Sequence, residues 1–402
     1  SQHIYFSFAY IFFFSFNKYS ATPPANAPLL PPPEITNAFF IIQQMICVFS
    51  FYKNTKMKSF YTVFILLVFM CSCSNEYESR KIAAVSIKPY AVENASIRTI
   101  VPVDATKVYF AASNGNSGIQ LDNGMFNSIK TVKYADSIIP NFRSLATNGT
   151  DYFAMSIGNP ALLFNLSKDT LVYKEVHEKV FYDALTFFDS LHGIAMGDPT
   201  EDCMSILLTH DGGKTWSKIP CEKLPETVAG EAAFAASNTS IKVLDKTVWL
   251  VTGGTKARVF KSTDIGNTWQ VYETPIIQGK SSQGIYSVDF ADQYHGIILG
   301  GDYLKPEENF SNKAITNDGG KTWSLIADGE NPNYKSCVQY VPNTAGKEVF
   351  AVGKTGVSYS NNGGLNWVQV SEDSYYTIQF VDRNNAWLAG NNKIGKLMLP
   401  RK

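Results

Sequence analysis

The sequence predicts an all-β fold, a seven-bladed β-propeller with four-stranded antiparallel blades, from a repeated turn motif and a repeated strand pair. The turn motif ends in tryptophan and occurs four times, as DGGKTW at 211–216, DIGNTW at 264–269, DGGKTW at 318–323 and NNGGLNW at 361–367. Its tryptophans are spaced by 53, 54 and 44 residues. A period of about 40–50 residues between short strands is typical of propeller blades.

Each turn motif closes a β-hairpin, because a strand-like run precedes it and a polar–apolar alternation follows the tryptophan. The acidic residue can accept hydrogen bonds from the turn's own amides, and the glycines can adopt positive φ. The tryptophan ring packs against the blade. We therefore assign structural roles to Asp211, Trp216, Asp264, Trp269, Asp318, Trp323 and Trp367.

A strand pair opens each repeat. Residues 182–187, 286–290 and 376–380 are strand-like, and each is followed by a polar turn and a second apolar strand that ends in glycine. Alignment of this strand pair adds the first two units of the chain to the repeat, although they lack the tryptophan motif. The seven units begin near positions 96, 141, 181, 231, 284, 334 and 375.

The last unit ends at Lys402 after about three strands, so its blade needs another strand. Residues 81–89 alternate like a strand and precede the first unit. Because ring closure removes exposed sheet edges, we predict that this N-terminal segment completes the seventh blade. The propeller is therefore predicted over residues 81–402.

The N-terminal region has the features of a leader. Residues 1–56 precede a good start at Met57, and we expect them to be a non-native upstream segment; the alternative is that residues 41–51 belong to a longer leader that starts at Met45. Residues 57–73 resemble a bacterial lipoprotein signal peptide, with a short apolar run that ends near cysteine. Cleavage would leave Cys73 lipidated, followed by a tether at 74–80. These features predict a cell-envelope protein with a lipid anchor in a membrane; a plain secretory signal is the alternative.

The cysteines agree with export. Extending the hairpin register of the third unit places Cys203 opposite about position 222, within one residue of Cys221. This predicts a disulfide between Cys203 and Cys221, with two buried thiols as the alternative. Cys337 lies in an inner strand and is expected in the core.

Composition and motifs exclude several classes of function. The chain has 35 basic and 35 acidic residues and no basic stripe, so no nucleic-acid partner is expected. The five histidines show no metal-ligand spacing, and no phosphate loop, dinucleotide fingerprint or nucleophile elbow occurs. We expect a monomer without metal or cofactor.

A polar pocket is predicted at one rim of the central channel, where the first strands of all blades begin. Arginine pairs bind carboxylates or phosphates bidentately, and an acid and tyrosines nearby would add titratable groups. A water-filled channel whose charges pair with one another is the alternative. The residues predicted at this rim are Arg98, Arg143, Asp183, Glu231, Tyr286, Lys335 or Ser336, and Tyr376.

The turn motif resembles the Asp-box (BNR) repeat S-x-D-x-G-x-T-W, with a full match at 262–269 and a departure at Asn362 and Asn366 in the last copy. Over about residues 90–400 the chain is similar to photosystem II stability/assembly factor-like proteins of non-photosynthetic bacteria, in strings such as GEA at 230–232 and WLVTGG at 249–254. That resemblance implies a rigid binding or assembly platform, whose partner would be an envelope protein or an acidic glycan.

Sialidases share the Asp-box propeller and imply a second function, glycoside hydrolysis. The sialidase pattern would use Arg98, Arg143 and Arg258 to hold a carboxylate and Asp183 as acid/base. Glu231 with Tyr286 or Tyr376 would form the nucleophile pair. The arginine motif F/Y-R-I-P of that family is absent, and sialidases usually have six blades.

Overall fold

The computed structural model describes residues 77–400, and these form a ring of seven antiparallel blades. The segment predicted to be non-native (1–56), the signal peptide with Cys73 (57–73) and the first part of the tether (74–76) lie outside the described residues. Within residues 77–400, no helix is long and apolar enough to cross a membrane.

The first four blades follow one another along the chain. Blade one contains β2 (Thr99–Asp104), β3 (Lys107–Ala111), β4 (Asn116–Leu121) and β5 (Phe126–Thr131). Blade two contains β6 (Phe142–Thr147), β7 (Tyr152–Ser156), β8 (Ala161–Asn165) and β9 (Thr170–Glu175). Blade three contains β10 (Tyr182–Phe187), β11 (Gly193–Gly197), β12 (Ser205–Thr209) and β13 (Ser217–Lys218), and a 3₁₀ turn follows at Cys221–Lys223. Blade four contains β15 (Ile241–Leu244), β16 (Thr247–Val251), β18 (Arg258–Ser262) and β19 (Gln270–Glu273).

The remaining strands complete the ring. Blade five contains β20 (Gln283–Phe290), β21 (Gly296–Asp302), β22 (Lys313–Thr316) and β23 (Ser324–Leu325). Blade six contains β24 (Cys337–Tyr340), β25 (Val349–Gly353), β26 (Gly356–Ser360) and β27 (Val368–Ser371). Blade seven contains β28 (Thr377–Phe380), β29 (Asn385–Met398) and β1 (Ile87–Ser96). A two-stranded ribbon of β14 (Glu231–Ala232) and β17 (Gly253–Gly254) extends the sheet of blade five.

The first strand of each blade lies next to the central axis. Each of these strands contacts the first strand of the next blade, and β28 returns to β2, which closes the ring. Blades pack face to face, so their middle strands are buried on both sides and consist almost entirely of apolar and small residues. Strands β8, β12 and β26 are buried along their whole length.

The N-terminal strand closes blade seven, as the sequence predicts. The long element β29 pairs with β28 through Ala386–Ala389 and with β1 through Lys393–Leu397. It doubles back between these segments, because the Leu399 N–H donates to the Asn384 carbonyl at 2.7 Å and Asn392 has a φ of 56°. Blade seven therefore has four strands, and β1 is the outermost.

The closing strand starts later than predicted, at Ile87 and not at Lys81. The preceding residues lie along blade six, where the Val85 N–H donates to the Val370 carbonyl at 3.0 Å. Arg80 holds this segment in place through a buried ion pair with Glu348, with 2.6 Å between Nη2 and Oε2. Arg80 and Val85 contact blade six, so pairing with blade seven begins only at Ile87.

The tryptophan turns are stabilised by a repeated set of hydrogen bonds. In the first copy, Asp211 Oδ1 accepts from Thr209 Oγ1 at 2.8 Å and from the Thr215 N–H at 3.0 Å. Asp211 Oδ2 accepts from Thr215 Oγ1 at 2.7 Å, and Trp216 Nε1 donates to the Gly213 carbonyl at 3.2 Å. The copies around Asp264 and Asp318 have the same bonds.

The last copy reaches the same geometry with two amides. Asn362 Oδ1 accepts from the Asn366 N–H at 2.9 Å, and Asn362 Nδ2 donates to Asn366 Oδ1 at 2.9 Å. Trp367 Nε1 donates to the Gly364 carbonyl at 2.7 Å. This copy therefore carries no titratable group.

We expect the three acidic turns to make the protein sensitive to acid. Burial raises the pKa of Asp211 and Asp318, but hydrogen bonds from the turn outweigh burial and lower both pKa values to about 2. A lowered folded-state pKa stabilises the fold above the unfolded-state pKa of about 4, and this contribution is lost as pH falls towards 2. Asp211→Asn with Asp318→Asn should therefore be less stable than wild type at pH 7, and thermal unfolding should show the difference vanishing near pH 2. A difference that stays constant with pH would contradict this account.

Cys203 and Cys221, the pair expected from the hairpin register, form a disulfide with 5.5 Å between their Cα atoms. The hairpin pairs Leu207 with Lys218, and beyond Pro220 the chain turns into the 3₁₀ segment that carries Cys221. The third cysteine of the propeller, Cys337, is a buried free thiol.

Reduction of this disulfide should lower the free energy of unfolding by about 3 kcal/mol, because the bond closes a short loop in the unfolded chain. Peptide mapping of unreduced, alkylated protein should find the Cys203 and Cys221 peptides linked and Cys337 alkylated. Cys203→Ser with Cys221→Ser is the matched control, whose stability should not respond to reductant. Alkylation of all three cysteines would contradict the structure.

Candidate functional site

The two faces of the ring differ in what they carry. The first strands of the blades begin at one face, which we call the entry face. The third strands run parallel to the first, so the Asp-box turns that follow them lie on the opposite face, which we call the far face. The turns are thus separated from the rim at which the sequence predicts a pocket.

A cavity of 610 Å³ opens at the centre of the entry face. Of the predicted rim residues, it brings together Arg98, Arg143, Tyr286, Ser336 and Tyr376. Residues that the sequence analysis did not assign complete its charged and aromatic lining, namely Asp198, Lys354, Phe181, Phe234, Tyr303 and Tyr334. We refer to this cavity as the entry pocket.

Arg98 lies immediately before β2 and is held by uncharged partners. Its guanidinium carbon lies 4.0 Å from the ring centroid of Tyr376, a cation–π contact, and Nη1 donates to the Ala236 carbonyl at 3.2 Å. Its buried Nε has no hydrogen-bond partner among residues 77–400. The side chain is therefore positioned without being neutralised.

Arg143 occupies the second position of β6 and is partly buried in the same pocket. Burial, followed by repulsion from Arg98, lowers the pKa of Arg143, while attraction to Asp183 opposes the shift. Within the described part of the chain, neither arginine has a carboxylate oxygen within ion-pair distance. Two cations thus face the cavity without direct counter-ions.

Two carboxyl groups accompany the arginines: Asp198 lines the entry pocket, whereas the predicted rim residue Asp183 is not part of its lining. Asp183, on β10, is fully buried, and neither of its oxygens has a hydrogen-bond partner within the described residues. Asp198 follows β11, lines the pocket and accepts a hydrogen bond from the Ala233 N–H at 2.8 Å. Burial raises the pKa of Asp198 to about 6. Burial, and then the charge of Asp198, raise the pKa of Asp183 well above its ordinary value.

Aromatic rings form one wall of the entry pocket. Phe234 and Tyr286 are stacked with 3.8 Å between ring centroids, and Tyr334 meets Tyr286 edge-on at 4.9 Å. The Tyr286 hydroxyl donates to the Ser282 carbonyl at 2.8 Å, and burial raises its pKa above the ordinary value. These rings remain neutral and offer a flat apolar surface.

The segment 236–239, which we call the floor segment, crosses the channel beneath the pocket. Asn238 donates to the Leu145 carbonyl of blade two at 2.9 Å and accepts from the Leu185 N–H of blade three at 2.8 Å. Ser237 and Thr239 bond to blades six and five, through the Ser336 carbonyl and Ser287 Oγ at 2.6 and 2.7 Å. A second cavity, of 280 Å³, lies on the far side of the floor segment. The entry pocket is therefore closed at its base.

The turn motif also matches a known repeat by sequence, since residues 207–218 fit the BNR/Asp-box repeat. The chain is therefore a seven-bladed propeller that contains a BNR/Asp-box repeat, and we refer to it below as the Asp-box propeller. Curated protein sequences give no match to it. Within residues 77–400, no cluster of three or more histidine, cysteine, aspartate or glutamate side chains could hold a metal ion.

Solved structures of other proteins share the overall propeller fold of this chain. A structure of U3-55K aligns with a TM-score of 0.57 at 12% identity, covering 79% of this chain and 100% of that one. The WD40 repeats of RRP9 align with a TM-score of 0.57 at 11% identity, covering 80% and 100%. YCF48 bound to a D1 peptide aligns with a TM-score of 0.55 at 12% identity, covering 80% and 100%.

The structure does not place Glu231 and Arg258 in the entry pocket of the Asp-box propeller. Arg258 Nε and Nη2 donate to Glu231 Oε1 and Oε2 at 3.0 and 2.5 Å, and Thr252 Oγ1 donates to Oε1 at 2.7 Å. Glu231 therefore does not meet Tyr286, and Arg258 is not a third arginine for a ligand. Both belong to a buried ion pair beside the β14–β17 ribbon.

Lys335 also differs from the prediction, whereas its alternative Ser336 lines the pocket. Lys335 is fully buried, and its ammonium donates to Thr355 Oγ1 at 2.8 Å and to the Gly356 carbonyl at 3.1 Å. Burial lowers its pKa to about 8. Because neighbouring residues of an extended segment point in opposite directions, Tyr334 and Ser336 face the pocket and Lys335 faces the blade.

Proposed function

We propose that the Asp-box propeller is a binding or assembly platform of the bacterial cell envelope that captures an acidic ligand in its entry pocket. The observation that carries this proposal is the pair Arg98 and Arg143, two guanidinium groups in one cavity without carboxylate partners in the described residues. Arginine is suited to binding carboxylates through paired hydrogen bonds.

A segment of an envelope protein is the ligand that we favour, with an acidic glycan as the other candidate. The wall of Phe234, Tyr286 and Tyr334 suits apolar or aromatic side chains beside an acidic group. YCF48, a propeller of similar fold, has been solved with a peptide bound. This supports the use of such a ring as a peptide platform.

The proposed lipid anchor at Cys73 fits this use. Tyr77 donates a hydrogen bond to Glu348, which directly precedes β25 and so lies at the far face. The described part of the chain therefore begins at the face opposite the entry pocket.

Glycoside hydrolysis is the second candidate, and the carboxyl pair Asp183 and Asp198 is the observation that favours it. Glycosidases use two carboxyl groups whose pKa values differ, and here burial raises both pKa values to different degrees. The sialidase assignment of Glu231 as partner of a tyrosine nucleophile has no support, since Glu231 is bound by Arg258.

A screen of acidic peptide and sialylated glycan arrays, with fluorogenic glycosides offered to the same protein preparation, tests the proposal. We expect binding of acidic peptides without turnover of any glycoside. Turnover that disappears in Asp198→Asn would instead establish the hydrolase. Absence of both binding and turnover would contradict capture of an acidic ligand.

A further inference from the structure

We infer that the entry pocket takes up a proton together with a carboxylate ligand, through the carboxyl pair Asp183 and Asp198. The inference rests on the proposed function and adds its regulation. Asp198 lines the same cavity as Arg98 and Arg143, and its neighbour Asp183 is fully buried without a hydrogen-bond partner within residues 77–400. An ionised carboxylate in such a place is costly, so the pair retains a proton.

The groups that surround the pair come from several elements. Asp183 on β10 is faced by Asp198 after β11, by Arg143 on β6 and by the Ala235 backbone amide next to the floor segment. Asp198 is held by the Ala233 N–H and opens onto the cavity. The other charged or titratable groups of that cavity are Arg98, Lys354, Tyr286, Tyr303, Tyr334 and Tyr376.

The net charge of the entry pocket therefore changes with protonation of Asp198, in a physiological pH range. With Asp183 protonated, the ionised Asp198 opposes the cations Arg98, Arg143 and Lys354 above about pH 6. Below that pH Asp198 becomes neutral, and the cavity becomes more positive by one charge. A raised carboxyl pKa means that the neutral form persists to higher pH than in water.

An anionic ligand must bind more tightly to the protonated pocket, because it avoids repulsion from Asp198. By reciprocity, bound carboxylate raises the proton affinity of the pair, so binding near pH 7 is accompanied by proton uptake. One proton can change the dissociation constant by at most about tenfold for each pH unit. Between pH 7.5 and 5.5 we expect a gain in affinity of about tenfold.

Isothermal titration calorimetry with acetylated hexa-aspartate tests this inference, since aspartate carboxyls stay ionised at pH 5.5. Titrations at pH 5.5 and 7.5, each in two buffers with different ionisation enthalpies, give both the dissociation constant and the number of protons taken up. Wild type should bind more tightly at pH 5.5 and take up protons at pH 7.5. Asp198→Asn should bind at pH 7.5 as tightly as wild type does at pH 5.5, without proton uptake.

Asp292→Asn is the matched control, because Asp292 lies in a far-face turn beside His295 and outside the entry pocket. It should behave as wild type at both pH values. Binding of hexa-aspartate with equal affinity at both pH values and no proton uptake would overturn the inference and leave the proposed function standing. Absence of hexa-aspartate binding at both pH values would overturn the inference and the proposed function together.

Discussion

Replacing Arg98 and Arg143 together by alanine is expected to weaken binding of the acidic ligand at least about hundredfold. Each guanidinium can donate charge-assisted hydrogen bonds to a ligand carboxylate, and a hydrogen bond to a charged group contributes about 1.5–3 kcal/mol. The fold should remain intact, because Arg98 contacts one carbonyl and one aromatic ring, and neither arginine forms an ion pair within residues 77–400. Fluorescence anisotropy with an acidic peptide from the array screen measures the loss.

A variant with the same loss of charge elsewhere separates site binding from general attraction. Lys214 and Lys321 are exposed residues of two Asp-box turns on the far face. Lys214→Ala with Lys321→Ala removes the same number of positive charges and should change the affinity less than about twofold, as expected for screened surface charges. Equal losses in the two double variants would refute the assignment of the entry pocket as the binding site.

Replacing Arg258 by alanine is expected to lower the free energy of unfolding by about 3–5 kcal/mol, which is typical when one partner of a buried ion pair is removed. The side chain of Glu231 is fully buried, and that of Arg258 is only 12% exposed. Without Arg258, the carboxylate keeps the hydrogen bonds of Thr252 and the Val228 N–H but loses its counter-ion. Urea unfolding followed by tryptophan fluorescence measures the effect.

The double variant Glu231→Gln with Arg258→Met should recover most of the lost stability, because the glutamine can still accept from Thr252 and no unpaired charge remains. Ligand affinity should stay at the wild-type value, since neither residue lines the entry pocket. If Glu231→Gln left stability unchanged and abolished binding or turnover, Glu231 would belong to the functional site and the structural account would be wrong.

The ring and its closure could be predicted because they depend on local chemistry that repeats. Each tryptophan turn is specified within about eight residues, as the bonds of Asp211 show. The spacing of the four turns therefore indicates the length of one blade. Closure by an N-terminal strand follows from the incomplete last unit. The start of that strand at Ile87 could not be read, because it depends on the distant contacts of Arg80 with Glu348 and Val85 with Val370.

The site could be predicted in part for the same reason. Arg98, Arg143, Tyr286 and Tyr376 converge because the first strands begin at one rim. Glu231 was misplaced because the first strand of blade four is β15, and the ribbon strand β14 precedes it.

Asp198 and Lys354 were missed although they have a signal. Each follows the glycine that ends a second strand, and second strands end at the entry face. The floor segment has no local signal, since the role of Asn238 depends on carbonyls of two other blades.

The central claim is that the entry pocket binds an acidic ligand through Arg98 and Arg143. A crystal structure of the protein with the tightest acidic ligand from the screen tests it most directly. The account predicts the ligand's carboxylate between the two guanidinium groups, above the floor segment and against the wall of Phe234 and Tyr286. A ligand bound on the far face or at a blade edge, with the entry pocket empty, would contradict it.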